Sequence, residues 1–258
     1  MKIISVATHS ERMFHIFKES CKRNKCILNL LGWGKKWRGF GWRWDLILDY
    51  IEEKNIDKNE ILLITDAFDS VVVVNEKRIE EEFLKFKSPM VFSCEPLSKH
   101  FQVISAYYRW RVFGPDPIIN GGSYIGYAGA IKKFIQRIKY SQSTDDQRFL
   151  TALYKQVHMT VDYEHKIFYH HCAWMKHKYI GKIPSTCVVT FPASGYNNVI
   201  LKALGYEYTT PKETWNQCFS VFKRRAKHYV PFFWRELLIL FTVLMGLGIL
   251  PLILGIIV

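Results

Sequence analysis

Ile61-Leu62-Leu63-Ile64-Thr65-Asp66-Ala67-Phe68-Asp69-Ser70 is the stretch on which the reading of this chain turns. Four apolar residues run without polar alternation, the pattern of a strand buried on both faces. An ionised Asp does not sit mid-strand in a core without a partner. Asp66 therefore belongs where the strand emerges, and in open α/β sheets that carboxyl edge is where ligands bind. Asp69 follows three positions later. Two carboxylates at one strand end can hold a hard divalent cation, and such a cation can neutralise a bound diphosphate. The alternative is a strand closed by an acidic turn, since Asp is common in turns.

Working outward, the alternation of strands and helices predicts an α/β fold with a largely parallel sheet. Met1 to Thr8 reads as a first strand, too short in its apolar part for a signal peptide. Thr8 and Glu11 have the spacing of a capping box that starts a helix, with Met13, Phe17 and Cys21 facing the core. Cys26 to Leu31 is a second apolar run. Gly32 to Trp44 reads as a loop crowded with Gly, Trp and basic residues. There glycine lets backbone approach a ligand, Trp stacks on rings, and Arg43 and its neighbours suit phosphate. Helices are expected over Leu46–Glu53, Glu76–Phe86 and Ala130–Ile138, and strands over Glu60–Thr65 and Pro89–Cys94. Residues 96–118 read as irregular and aromatic.

In Ile118 to Tyr127 the pair Gly121-Gly122 fails the dinucleotide-binding glycine spacing. It is expected instead to let a strand pass close to a ligand. Asp145 and Asp146 open the next helix, where carboxylates are favoured by the helix dipole. They either cap it or face a reacting group. His170, His171 and His177 lack a matched acidic or cysteine set and read as surface or packing residues.

The 258 residues are enough for one large domain or one domain with appendages. A formal net charge of +13 points to an anionic partner. With no long Lys/Arg tract and no zinc-finger spacing, that partner is not expected to be nucleic acid. The six cysteines form no CxxC pair and read as reduced core thiols. Leu237 to Val258 is 22 residues without a charge. As a helix it spans about 33 Å, enough to cross a bilayer core.

Taken together, Val6-Ala7-Thr8, Gly39-Phe40-Gly41, Asp66-Ala67-Phe68-Asp69, Phe92-Ser93-Cys94-Glu95, Asn120-Gly121-Gly122 through Ala128, and Asp145-Asp146-Gln147 resemble, in order and spacing, one family. It is the glycosyltransferase domain of the procollagen lysyl hydroxylases, which are also procollagen galactosyl-glucosyltransferases. The resemblance covers roughly residues 1 to 206. It implies a GT-A fold, a Rossmann-like mixed sheet flanked by helices that binds a nucleotide-sugar. It also implies a UDP-sugar donor (UDP-glucose or UDP-galactose), a manganese or magnesium ion, and a protein or glycan acceptor.

By the same resemblance Asp66 and Asp69 are the metal pair, and Asp145 and Asp146 an acidic pair needed for transfer. Thr8 and Phe68 line the nucleotide, Arg43 falls near the diphosphate, and Asn120, Gly121 and Gly122 lie along the donor. The family's His-Gly-Asn-Gly segment, whose His completes the metal site, corresponds to Phe191-Pro192-Ala193-Ser194-Gly195, with Pro192 in the place of that His. A family tryptophan after the Glu95 segment is replaced near Lys99. These departures leave open a degenerate, non-catalytic UDP-sugar-binding membrane protein; a membrane scaffold would have no need of the acidic pairs.

The expected organisation is a transferase domain over 1–210, a basic juxtamembrane segment over 211–236 and a membrane helix over 237–258. Lys223, Arg224, Arg225, Lys227 and Arg235 precede that helix, and basic flanks stay cytosolic. The absence of Asn-x-Ser/Thr sequons and of a disulfide-like cysteine pattern agrees. The expectation is a single-pass C-terminal anchor with the transferase domain in the cytosol; the family resembled implies the lumen as the alternative.

Overall fold

β1 (Lys2–Val6), β2 (Leu28–Leu31) and β3 (Ile61–Ile64) lie side by side and parallel, with β1 in the middle. Alternation along these strands divides the core. Ile3 and Leu63 face one side, while Ile4, Leu62 and Ile64 face the other. In the computed structural model the residues described are 1–95, 117–171, 185–191 and 198–208, together with Trp234, Leu238 and Thr242.

The six-stranded sheet has the order β2-β1-β3-β6-β5-β7, where β5 is Met90–Cys94, β6 is Ile119–Tyr127 and β7 is Thr160–Val161. β6 runs antiparallel to both β3 and β5 while the other five strands share one direction, so the sheet is mixed with a single reversed strand. A buried strand shows the same apolar run in either direction, so composition alone does not reveal the reversal. A second sheet of three strands has the order β4-β9-β8, with β4 at Ser70–Val72, β8 at Phe168–His170 and β9 at Val188–Thr190.

Helices cover both faces of the larger sheet. α1 (Phe14–Arg23) and α3 (Glu76–Lys85) place Phe14, Phe17, Ile79 and Phe83 on the face that the second sheet also covers with Val72, Phe168 and Val188. α2 (Trp42–Glu53), α4 (Ala128–Arg137) and α5 (Asp146–Tyr154) bury Trp44, Ile47, Ile131, Ile135 and Leu150 against the opposite face. α6 (Asn198–Ala203) closes the far side of the second sheet with Ile200 and Leu201, against Val71, Tyr169 and Val189.

Two local expectations change. The capping box does not form: α1 begins at Phe14, and Thr8 Oγ1 bonds His9 Nδ1 at 2.9 Å. Thr8 stays with the sheet because its carbonyl accepts Gly34 N–H at 2.9 Å, and the chain then turns through Arg12 at φ +49°. α2 starts at Trp42 rather than Leu46, since burying Trp42 and Trp44 beside Leu46 and Ile47 extends the apolar stripe by a turn. Of the surface and packing readings, His170 and His171 take the packing one, since both are buried. Cys21, Cys26, Cys94 and Cys187 are buried, as core thiols.

The chain divides into two compact units, Met1–Gln102 with Pro115–Thr210, and Val103–Gly114 with Pro211–Val258. In the second unit Trp234, Leu238 and Thr242 are helical and exposed, and Thr242 Oγ1 donates to the Leu238 carbonyl at 2.9 Å. Among the described residues no helix is long and apolar enough to cross a membrane. Apart from Leu238 and Thr242, the stretch 237–258 lies outside the described residues, as do 211–233, most of the aromatic stretch 96–118, Lys99, His177 and Pro192.

Candidate active site

Asp66 lies two residues beyond Ile64, at the carboxyl end of β3, and the segment 66–69 carries the chain from the large sheet into β4 of the small one. Ala67, 1% exposed, anchors the segment in the core. The Phe68 and Asp69 carbonyls accept Met13 N–H at 3.3 Å and Phe191 N–H at 2.8 Å. The two carboxylates project from a backbone tied on both sides.

Arg43 organises the centre. It stands in the first turn of α2, not in a loop, and its guanidinium makes short ion pairs with both Asp66 and Asp146 while donating to the Gly121 carbonyl at 3.1 Å. The Arg43 and Asp146 side chains are 12% and 8% exposed, that of Asp66 36%. Burial opposes the charge on Arg43, but the Asp146 and Asp66 carboxylates outweigh it and hold the guanidinium above its ordinary pKa. Burial pushes the Asp66 carboxyl up; Arg43 pulls it down and Asp146 adds to the rise, with the net shift upward.

The glycine pair explains how the carboxylates fit. A Cβ at Gly121 would lie 2.5 Å from Asp146 Cγ, and one at Gly122 would fall on Asp66 Oδ2. These glycines let β6 pass close to the chain's own carboxylates. Asn120 uses both ends of its amide, donating to Glu95 Oε1 and accepting Gly122 N–H, each at 2.9 Å. Two of the glycines before α2 act likewise: a Cβ at Gly39 or Gly41 would strike the backbone of residues 141–143.

Asp145 and Asp146 part company. Asp145 is the N-cap of α5, accepting Arg148 N–H at 3.1 Å. Asp146 is buried, accepts Gln147 N–H at 2.8 Å on Oδ1, and offers Oδ2 to Arg43. On the other side of the 66–69 segment Phe68 lies 5.8 Å from the His9 ring and 6.3 Å from Phe14, and Trp33 stacks on Phe14 at 5.2 Å. With Thr8 bonded to His9, these side chains form an aromatic shelf beside the acidic centre. Sequence reading did not single out Phe14 and His9; their share in the shelf depends on where α1 begins.

Asp69 Oδ1 is buried with no hydrogen-bond partner among the described residues. Burial, then the neighbouring Asp66 charge, pushes its carboxyl up to about 7. An orphaned carboxylate oxygen beside a second carboxylate fits a hard cation, which would satisfy the oxygen and relieve the repulsion. Among the described residues no group of three or more His, Cys, Asp and Glu side chains could hold a metal ion.

The Asp69 shift has a sign. Between the ordinary carboxylate pKa of 3.8 and about 7 the folded chain holds a proton that the unfolded chain has released. Stability then falls as pH rises through that window. The Tm of the metal-free chain is expected to drop from pH 4 to pH 7 by more in wild type than in Asp69→Asn; equal slopes by calorimetry would refute the assignment.

A family model described as the PLOD GT domain matches residues 1–177. Procollagen-lysine,2-oxoglutarate 5-dioxygenase 2 of Mus musculus is 27% identical over 180 residues, 64% of this chain and 24% of the relative. A multifunctional procollagen lysine hydroxylase and glycosyltransferase of Caenorhabditis elegans is 25% identical over 182 residues, covering 64% and 25%. The chain thus spans about a quarter of the length of the curated relatives it matches. A solved glycosyltransferase involved in glycosylation of the major capsid of PBCV-1 shares 14% identity over 79% of this chain and 98% of its own, with a TM-score of 0.46. Pro192 lies beyond the family match.

Proposed function

Because the chain belongs to the family of the PLOD glycosyltransferase domain, we propose that it is a metal-dependent transferase of GT-A type. It moves a hexose, glucose or galactose, from a UDP-sugar to a hydroxyl on a protein or glycan acceptor. The observation that carries this reading is the pair Asp66 and Asp69 at the end of β3, with one buried carboxylate oxygen left unpartnered. Asp66 and Asp69 would hold manganese or magnesium, which would supply stabilisation of the charge on the leaving diphosphate.

The chain's own residues do the rest. Arg43 holds Asp66 and Asp146 in register, so the metal side and the sugar side of the site are one construction. Its positive charge also favours a diphosphate alongside. Asp146 orients the sugar or assists at the acceptor hydroxyl. Asp145 supports this role by capping α5. The aromatic shelf with Thr8 and Phe68 receives the nucleotide, and β6 at Asn120, Gly121 and Gly122 forms the wall along the donor.

The second reading, a UDP-sugar-binding protein without turnover, is favoured by Arg43 itself, which already neutralises both carboxylates, and by Pro192 in place of the family's His. UDP release from UDP-glucose and UDP-galactose, with and without manganese, separates the two. The transferase requires metal-dependent release; tight UDP-sugar binding without release would establish the second. Within the acidic pair, Asp145→Ala is expected to cost about 1 kcal/mol of stability as a lost cap, with most turnover retained. Asp146→Ala is expected to abolish turnover while leaving UDP binding in place, as calorimetry with UDP would register.

Residues 1–210 form the transferase domain, 211–236 a basic segment and 237–258 a C-terminal membrane anchor. The support is the uncharged stretch itself, with the exposed Trp234 on its approach and the exposed Leu238 within it. The basic residues before it support a cytosolic side for the transferase domain. Protease added to sealed vesicles would then digest that domain; protection until detergent is added would put it in the lumen.

A further inference from the structure

Beneath the two carboxylates lies a set of buried hydroxyls that the transfer reaction does not use directly. Thr65 Oγ1 is 2.9 Å from Ser70 Oγ and 3.2 Å from Ser123 Oγ. The Thr65 carbonyl accepts Ser5 Oγ at 2.5 Å, and the Ser123 carbonyl accepts Ser93 Oγ at 2.6 Å. All five residues are at most 2% exposed. Apolar residues of the same shape would serve packing as well, since replacing both partners of a buried hydrogen bond is close to neutral. What the hydroxyls add is direction: each bond fixes one backbone position against another.

Their placement shows which positions. Thr65 precedes Asp66, and Ser70 follows Asp69. Their bond closes the two ends of the carboxylate-bearing segment on each other, where the chain leaves the large sheet for the small one. Ser123 is the residue after Gly121-Gly122, whose backbone receives Asp146 and Asp66. The Thr65 hydroxyl is thus the junction between the segment that carries the carboxylates and the strand against which they rest.

We propose that Thr65 is a positioning residue, whose hydroxyl, bonded to Ser70 and Ser123, holds the Asp66 and Asp69 carboxylates at the separation a divalent cation requires. The proposal rests on the metal reading of that pair. Groups that orient metal ligands typically contribute ten- to a hundredfold to metal affinity. A residue that merely packs changes Tm and leaves affinity alone.

The experiment is a manganese titration of the full chain, followed by the paramagnetic resonance of free Mn2+, on wild type, Thr65→Val, Ser70→Ala, the double variant and Thr65→Ser. Thr65→Val is expected to weaken binding about ten- to a hundredfold. The double variant should be no worse than Thr65→Val, because the two hydroxyls act as one bond. Thr65→Ser, which keeps the hydroxyl, should bind close to wild type. Ser70→Ala tests the same bond from its other end should Thr65→Val fold poorly. Wild-type affinity in both Thr65→Val and Ser70→Ala, with only Tm lowered, would overturn the proposal. A wild-type chain that binds no manganese through Asp66 and Asp69 would overturn the metal reading itself, and the purpose assigned to Thr65 with it.

Discussion

Arg43→Met is expected to destabilise the chain by about 3–5 kcal/mol and to remove UDP-sugar turnover. The stability loss follows from what remains. Asp146, 8% exposed, keeps its bond to Gln147 N–H but loses the guanidinium that balances its charge. Breaking a buried ion pair by deleting one partner leaves an uncompensated charge and costs of that order. The Gly121 carbonyl loses a donor as well. Methionine fills much of the same volume, so the loss is electrostatic rather than a cavity. Adding Asp146→Leu to Arg43→Met should therefore restore most of the stability and none of the turnover. Arg43→Lys should fall between, because an ammonium does not reproduce the fork that reaches two carboxylates and a carbonyl at once. Urea unfolding of the three variants, with UDP release measured in parallel, checks the scheme. A single variant as stable as wild type would mean that the bridge does not hold the folded site together.

The bridge also marks the boundary of what the sequence makes legible. β3 stands out as a four-residue apolar run, while the carboxylates beyond it read on their own equally as an acidic turn. Local periodicity likewise places α3 and α4 to within a residue or two. Arg43 is different. Its partners lie 23 and 103 positions away, and no local pattern links them. Trp42 and Trp44 look like loop aromatics beside so many glycines until the sheet supplies a face for them to cover. The glycines themselves are correctly read as places of close approach, but at Gly121 and Gly122 what approaches is the chain's own Asp146 and Asp66. Thr8 has the chemistry of a helix cap, yet its carbonyl is claimed by Gly34, a contact that exists only once β1 and the loop after β2 are side by side.

That close approach leads to a variant that adds one methyl group and replaces no functional side chain. Gly122→Ala is expected to lower turnover about a hundredfold, as a small misplacement of a reacting group does. The new Cβ would occupy the place of Asp66 Oδ2 and come 2.9 Å from its Cγ, so the carboxylate must leave its seat. It cannot swing freely, because Arg43 holds its other oxygen and Ala67 fixes the backbone beside it. Asp66→Asn removes the charge instead of the position and should be more damaging, abolishing manganese binding along with turnover. Gly126→Ala supplies the control on the same strand. Its Cβ would meet the Pro89 carbonyl at 2.8 Å, away from Asp66 and Asp146. The strain there should cost roughly 1–3 kcal/mol of stability while turnover per folded molecule survives. If Gly122→Ala kept wild-type turnover and manganese affinity, the seat of Asp66 on β6 would have no part in the chemistry. If Gly126→Ala lost turnover equally, the effect would belong to the strand as a whole and not to the seat of Asp66.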